Sequence, residues 1–386
     1  MDTQKIIELE KAHIMQTYNR PNFAIDHGKG CYLYDKEGEK YIDLVSGLAT
    51  CALGHGNREF AKAVKEQIGK ITNPTNLYYS EQQAVLAEKL AALSGLDKCF
   101  FSNSGAEAAE AAIKLTRKHT KKIGIISTKH GFHGRTMGSL SATWKEKIKA
   151  PFKPLLEGFK HVEYGDADAV EKEIGDKTGA IIVEPIQGEA GIIVPKEGYL
   201  KQLREICNKH NILMILDEVQ TGCGRTGKFF AYEHEKIKPD IVMMAKGLAN
   251  GIPIGVTLAK EEVAASFEKG DHGSTFGGNP VSCAAANFTV DYILKNGLME
   301  NSAKQGAYIV EKIMSLKCDK IKEIRGKGLM IGMTIEGNAK EVVSKCNGDG
   351  LLVNSPDENI LRLLPPLTID KKIIDNAIKI LGSALK

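Results

Sequence analysis

Hydrophobic residues change their spacing along this chain, and each change predicts a different kind of element. Through Gly56 they form short β groups. Gly30 to Asp35 is followed by a polar turn at Lys36 to Glu39 and answered by Lys40 to Leu44, which predicts a hairpin. From Glu59 to Ile71 and from Glu81 to Leu93 the apolar positions recur at helical spacing. The middle then alternates. Strands are predicted at Cys99–Phe101, Ile123–Ile126, Ala180–Val183, Ile212–Leu216, Ile241–Met244 and Ile254–Leu258, with helices at Gly105–Lys118 and Tyr199–His210 between them. Strands that are apolar without alternation are buried on both faces, so the middle reads as a largely parallel sheet covered by helices. In such a sheet a ligand lies outside the carboxyl ends of the strands. Beyond about Gly278 the pattern opens with a long helix and then mixes helices with strands at Leu351–Val353 and Ile360–Leu363, a smaller α+β part. The division predicted is an N-terminal segment 1–55, a large domain 56–280 and a small domain 281–386.

At 386 residues the chain buries enough surface to need no disulfide or metal staple. The 52 basic and 48 acidic residues leave a net charge of +4, too mild for a nucleic-acid surface, and no run of like charges appears. No apolar stretch reaches membrane-spanning length, and Met1 to Arg20 has no apolar signal core. None of the eight cysteines stands in a C-x-x-C pair, so no metal site is expected and a reducing, cytoplasmic location is.

Gly222 to Gly227 matches G-x-G-x-x-G, and with Lys228 it also matches the start of a phosphate-binding P-loop. A P-loop requires Ser or Thr next, and Phe229 stands there. A dinucleotide site requires a helix opening at the last glycine, and Phe229 to His234 shows no long helical stripe. What remains is a glycine-rich loop at a strand end.

Three other places combine into chemistry. Lys246 ends the apolar strand that begins at Ile241. It is either a lysine reaching for solvent or a Schiff-base lysine in a partly dry site, where desolvation lowers its pKa. Asp217 ends the strand Ile212–Leu216, either capping a loop or pairing with a buried cation. Ser104-Gly105-Ala106-Glu107 opens a helix with the pattern of a capping box, and the same free N–H groups can hold a phosphate. A phosphate cradle, a partner for a protonated ring nitrogen and an imine-forming lysine are what pyridoxal 5'-phosphate requires.

Longer motifs carry a resemblance over essentially the whole chain. Leu216 to Gly227 through Lys246, Phe132-His133-Gly134-Arg135-Thr136, Glu184-Pro185-Ile186-Gln187-Gly188-Glu189, His272 to Pro280 and Leu361-Arg362-Leu363-Leu364-Pro365-Pro366 are similar to the signatures of class III (ω-) aminotransferases. Those enzymes have the aspartate-aminotransferase-type fold (fold type I). Within the class, the compact length and the Phe-His-Gly-Arg-Thr wording resemble the acetylornithine branch. Ornithine members typically carry Trp where His133 stands, and 4-aminobutyrate members are usually longer.

The resemblance implies a cofactor and a set of roles. Ser104, Gly105 and Ala106 bind the phosphate of pyridoxal 5'-phosphate. Phe132 stacks on the ring and Val219 packs against it, Asp217 pairs with the ring nitrogen, and Gln220 lies near the phenolic oxygen. Lys246 forms the Schiff base. Thr275 binds the phosphate of the neighbouring subunit's cofactor, so a homodimer with shared sites is implied. Arg135 and Arg362 bind substrate carboxylates, Glu189 neutralises Arg362 when it is idle, and Ser274 adjoins the substrate. The reaction implied moves the δ-amino group of acetylornithine to 2-oxoglutarate. Succinyldiaminopimelate, ornithine, succinylornithine or 4-aminobutyrate are the other donors to weigh. Guanidinium groups suit carboxylates in any case, because they donate bidentately, though each arginine also has an ordinary surface or ion-pair reading.

Overall fold

The computed structural model describes all 386 residues. Its central sheet has seven strands in the spatial order Lys98–Ser102, Gly255–Ala259, Ile241–Met244, Leu213–Asp217, Thr178–Val183, Gly124–Thr128 and Phe159–Val162. Only Gly255–Ala259 runs antiparallel to its neighbours. The reason for the unbroken apolar strands is visible in the packing. Ile182, Ile215 and Met243 point to one face, against Ala108, Ala109, Ala112 and Ile113 of the helix Gly105–Thr120. Ile181, Met214 and Val242 point to the other, into the main core that also takes Leu203 and Cys207 of the helix Tyr199–His210. Fully burying one such aliphatic side chain contributes about 1.5–3 kcal/mol.

One strand of this sheet escapes the sequence pattern. Phe159–Val162 forms an edge, where Lys160 and His161 interrupt the apolar run because only one side is paired. The helix Thr3–His13 is likewise unforeseen where short β segments are expected. Asp2 caps it by accepting the Lys5 N–H at 2.8 Å, yet none of its residues is buried, so there is no core-facing stripe to read. The hairpin Tyr32–Asp35 and Lys40–Asp43 forms as expected, joined by Ile25–Lys29.

The C-terminal part carries a second antiparallel sheet, ordered Ile321–Lys327, Met330–Ile335, Ile360–Leu363, Asn354–Asp357. Its first hairpin is hidden in the sequence because a register shift between Ile321 and Glu323 breaks the alternation. The apolar faces of Leu298–Ser315 and Lys371–Ala384 enter the same core through Ile309, Ile313, Ile374, Ile378 and Leu381. The strand expected at Leu351–Val353 is Leu351–Leu352, and it pairs in parallel with Lys40–Asp43 rather than within the C-terminal sheet.

The Gly222 loop has a structural task. Thr221 to Thr226 are buried, and the Arg225 guanidinium donates to the carbonyls of Leu329 at 3.1 Å and Pro365 at 2.5 Å. A Cβ on Gly227 would lie 3.0 Å from Ala303, and its φ of +94° also calls for glycine. The loop is thus packed against the C-terminal part and has no open face for a nucleotide. No helix is long and apolar enough to cross a membrane.

Candidate active site

Five strands end at one cavity of about 430 Å³. Ser102 leads to Asn103, Ser104 and Gly105, Thr128 leads to Phe132 and His133, Val183 to Glu184, Asp217 ends its own strand, and Met244 leads to Lys246. The chemistry therefore collects at the carboxyl edge because parallel strands all deliver their ends to the same side.

At one end of the cavity the helix Gly105–Thr120 begins. Ser104 caps it, its hydroxyl accepting the Glu107 N–H at 3.2 Å. The reciprocal half of the expected capping box is displaced: the Glu107 carboxylate takes the N–H of Asn103 at 2.5 Å, not that of Ser104. The first N–H groups of the helix, on Gly105 and Ala106, have no partner within it and can hold an anion. Gly105 is required here, since a Cβ would lie 2.9 Å from Val219.

Deeper in, Asp217 is held at both oxygens. Oδ1 accepts the Val219 N–H at 3.0 Å, and Oδ2 pairs with His133 Nδ1 at 2.8 Å. His133 is fully enclosed, and its Nε2 has no partner. The Gln220 Oε1 is also buried without a partner. Phe132 and Val219 also line the cavity.

Lys246 follows the strand in a left-handed conformation, φ +42°, strained for a residue with a side chain. Burial pushes its amine below the usual lysine range, and the Arg362 guanidinium adds to this. Glu189, Asp217 and Glu184 pull the other way without reversing it.

Arg362 is almost wholly buried and donates four hydrogen bonds. Nη1 donates to Glu189 Oε1 at 2.7 Å and to the Gly188 carbonyl at 2.9 Å, while Nε and Nη2 donate to Asn354 Oδ1 at 3.1 and 2.7 Å. Burial tends to raise the Glu189 carboxyl, but Arg362 and Lys246 outweigh it and hold the group below its ordinary value. Gln220 Nε2 also reaches Glu189 Oε1, at 3.3 Å. Arg135 contrasts with Arg362. It is exposed at the cavity mouth, with its guanidinium 5.8 Å from the Phe132 ring centre.

Of the residues singled out from sequence, Ser104, Gly105, Ala106, Phe132, Arg135, Glu189, Asp217, Val219, Gln220 and Lys246 line this cavity, and Arg362 stands behind Glu189. Ser274 and Thr275 do not. They border a separate, more open cavity with Tyr79 and Phe100, and Thr275 is exposed. Ser274 touches the first site only through Asn103, whose Nδ2 donates to its hydroxyl at 3.1 Å.

Two functional candidates escape sequence reasoning. His133 is named there only as part of a motif, and nothing in the spacing says its ring reaches Asp217. Asn354 clamps Arg362 because the strands Asn354–Asp357 and Ile360–Leu363 pair with Asn354 opposite Arg362. Reading Asn354 as strand would have supplied that signal, but the Ser355-Pro356-Asp357 sequence argues for a turn.

A family model described as aminotransferase class-III matches residues 14–385. The chain is 47% identical to an acetylornithine aminotransferase of Methanothermobacter thermautotrophicus, the alignment covering 100% of this chain and 99% of that one. For an acetylornithine aminotransferase of Archaeoglobus fulgidus the figures are 46%, 97% and 99%. Among solved structures, the ornithine aminotransferase of Toxoplasma gondii is similar with a TM-score of 0.96 at 30% identity, covering 100% of this chain and 95% of that one. The acetylornithine aminotransferase of Elizabethkingia anophelis is similar with a TM-score of 0.89 at 34% identity, covering 100% and 99%.

Proposed function

The chain belongs to the class-III aminotransferases, and from that premise we propose that it moves the δ-amino group of N2-acetyl-L-ornithine to 2-oxoglutarate. The products are N-acetyl-L-glutamate 5-semialdehyde and L-glutamate, a step of arginine biosynthesis. Identity favours this donor: relatives named acetylornithine aminotransferase reach 48% over the full chain, against 30–32% for ornithine aminotransferases of similar fold. Eight free thiols support a reducing, cytosolic setting.

The residues fit pyridoxal 5'-phosphate. Gly105 and Ala106 offer unpaired N–H groups and Ser104 a hydroxyl that would hold its phosphate, Phe132 and Val219 would flank the ring, and Asp217 would take the ring nitrogen. The orphaned Gln220 Oε1 has a polar partner to find in this cavity. When bound, the cofactor supplies an aldehyde that condenses with amines and a protonated ring that withdraws electrons from the neighbouring carbon. The chain does the rest. Asp217, oriented by Val219 and His133, would present its side chain to the ring nitrogen. Lys246 Nζ, once free, carries the proton from the substrate's δ-carbon, which its lowered pKa suits.

The single observation that carries the substrate reading is the Glu189–Arg362 pair, 2.7 Å long, in a cavity that is also lined by an exposed Arg135 with no carboxylate partner. Such an arrangement serves two substrates of different length in turn. Glutamate and 2-oxoglutarate bring two carboxylates, one to Arg135 and one that displaces Glu189 from Arg362. Acetylornithine brings its carboxylate to Arg135 and its δ-amine to a site where Glu189 keeps Arg362 neutralised. A panel of donors with 2-oxoglutarate tests this: acetylornithine should give the highest kcat/KM, and ornithine, succinylornithine or 4-aminobutyrate in first place would replace it.

Glu189→Ala separates the two half-reactions. Glutamate should react as well as before or better, since nothing has to leave Arg362. Acetylornithine should lose efficiency beside an uncompensated guanidinium. The ratio of the two kcat/KM values should shift about 10–100-fold, or ~1.4–2.8 kcal/mol. An equal loss for both substrates would make Glu189 a structural residue.

Assembly provides a further prediction. Thr275 is exposed and does not line its own chain's Lys246 cavity, which supports its binding the cofactor phosphate of a second subunit. Cofactor retention should then fall as a homodimer is diluted into monomers. Tight retention by a verified monomer would reject the shared site.

A further inference from the structure

Glu184 is a buried carboxylate that none of the roles above uses. It follows the strand Thr178–Val183, is 6% exposed and borders the cavity. No lysine or arginine pairs with it. Burial therefore pushes its carboxyl up to about 7. A carboxyl buried in such a place is costly unless hydrogen bonds satisfy its oxygens. Its two oxygens accept two backbone N–H groups from different loops: Oε1 takes that of Phe132 at 3.0 Å, and Oε2 that of Gly188 at 2.9 Å.

Those two loops are the walls that carry the carboxylate-binding groups. The first holds Phe132 and, three residues on, Arg135. The second holds Gly188 and Glu189, and both grip Arg362: the Gly188 carbonyl accepts from Nη1 at 2.9 Å and Glu189 Oε1 at 2.7 Å. Gly188 also lets this wall pass close to Gln220, since a Cβ there would lie 2.3 Å from Gln220 Oε1. Resting on the two-arginine reading above, we propose that Glu184 is a positioning residue that fixes the separation of these walls, and so sets the length of dicarboxylate the site accepts.

The same loops are joined once more, farther from the cavity. Gln187 Nε2 donates to the Lys129 carbonyl at 2.7 Å and to Thr128 Oγ1 at 3.1 Å. Loss of Glu184 should therefore leave the loops attached at that point but let the Phe132 end move. Displacements of about 1 Å are enough to alter rates many-fold when two ends of a substrate are held. Acetylornithine, which uses one arginine, should feel the change less than 2-oxoglutarate, which uses both.

The experiment compares the holoenzyme with Glu184→Gln and Glu184→Ala, each normalised to bound cofactor. Glutamine keeps the size and one acceptor oxygen but turns an NH2 donor toward the other N–H, so it covers the case in which alanine does not fold. The readout is kcat/KM for 2-oxoglutarate relative to oxaloacetate, one carbon shorter, and 2-oxoadipate, one carbon longer. In the variants both ratios should fall about tenfold, equivalent to ~1.4 kcal/mol, while the acetylornithine half-reaction falls less than the 2-oxoglutarate one. Ratios that stay at the wild-type values, whatever the total activity, or that rise, overturn the proposal. A wild-type enzyme that does not favour the five-carbon acid removes the two-arginine reading itself, and the ruler with it; that result is read before any variant is made.

Discussion

Replacing Lys246 by alanine is expected to abolish the borohydride-reducible link between protein and cofactor. It should also cut turnover by at least the ~10²–10⁴ that positioned acid–base groups contribute. The fold should survive. Lys246 sits at the end of a strand whose residues Ile241 to Met244 are fully buried by other contacts, and its removal takes a desolvated cation out of the protein. Glu189 loses one of the two cations that hold its carboxyl down, but Arg362 remains at 2.7 Å. Cofactor should still enter, held by the N–H groups at Gly105 and Ala106, and should wash out more readily. Mass spectrometry after borohydride treatment, set beside turnover, checks both parts. A reducible link on another lysine, or near-normal turnover, would remove Lys246 from its proposed place.

Asp217→Asn should have the second-largest effect. Asparagine keeps the shape of the side chain, and its oxygen can still accept one of the bonds now made by Val219 N–H or His133 Nδ1. It cannot offset a positive charge on the ring nitrogen. Cofactor should bind through Lys246 and the helix start, yet removal of the substrate proton in a single turnover should slow by about 10²-fold or more. Asp217→Ala should add a folding penalty, because a buried donor left without its acceptor costs about 1–3 kcal/mol. If single-turnover deprotonation in Asp217→Asn matched the wild type, the carboxylate would have only a structural task.

Much of this site was legible in the sequence because parallel strands advertise themselves. Ile241–Met244 and Ile212–Leu216 are apolar enough to be placed without structure, and a charged residue at the carboxyl end of each, Lys246 and Asp217, is then conspicuous. Ser104 was legible for a related reason: a cap before an Ala-rich helix marks where free N–H groups gather. What stayed hidden depends on contacts between distant segments. His133, after the strand Gly124–Thr128, reaches Asp217 across the end of the intervening strand Thr178–Val183, and Glu184 joins Phe132 to Gly188 through backbone groups that have no residue-type signature. Asn354 was lost because a bulged, proline-containing strand does not alternate. Edge position explains Phe159–Val162, and an absent core face explains Thr3–His13. Ser274 and Thr275 show a different limit. Their motif was readable, but their distance from the Lys246 cavity follows only from the folded chain.

The most direct measurement follows one half-reaction in the holoenzyme by its visible absorbance. Cofactor bound as an imine to Lys246 absorbs in the visible, and an amino donor that reacts should bleach that band in the absence of any oxo acid. N-acetylornithine is expected to bleach it with a higher second-order rate constant than ornithine, succinylornithine or 4-aminobutyrate. Adding 2-oxoglutarate should then restore the band with one glutamate formed per site. A band that acetylornithine leaves unchanged, or that another donor bleaches faster, would contradict the proposed function.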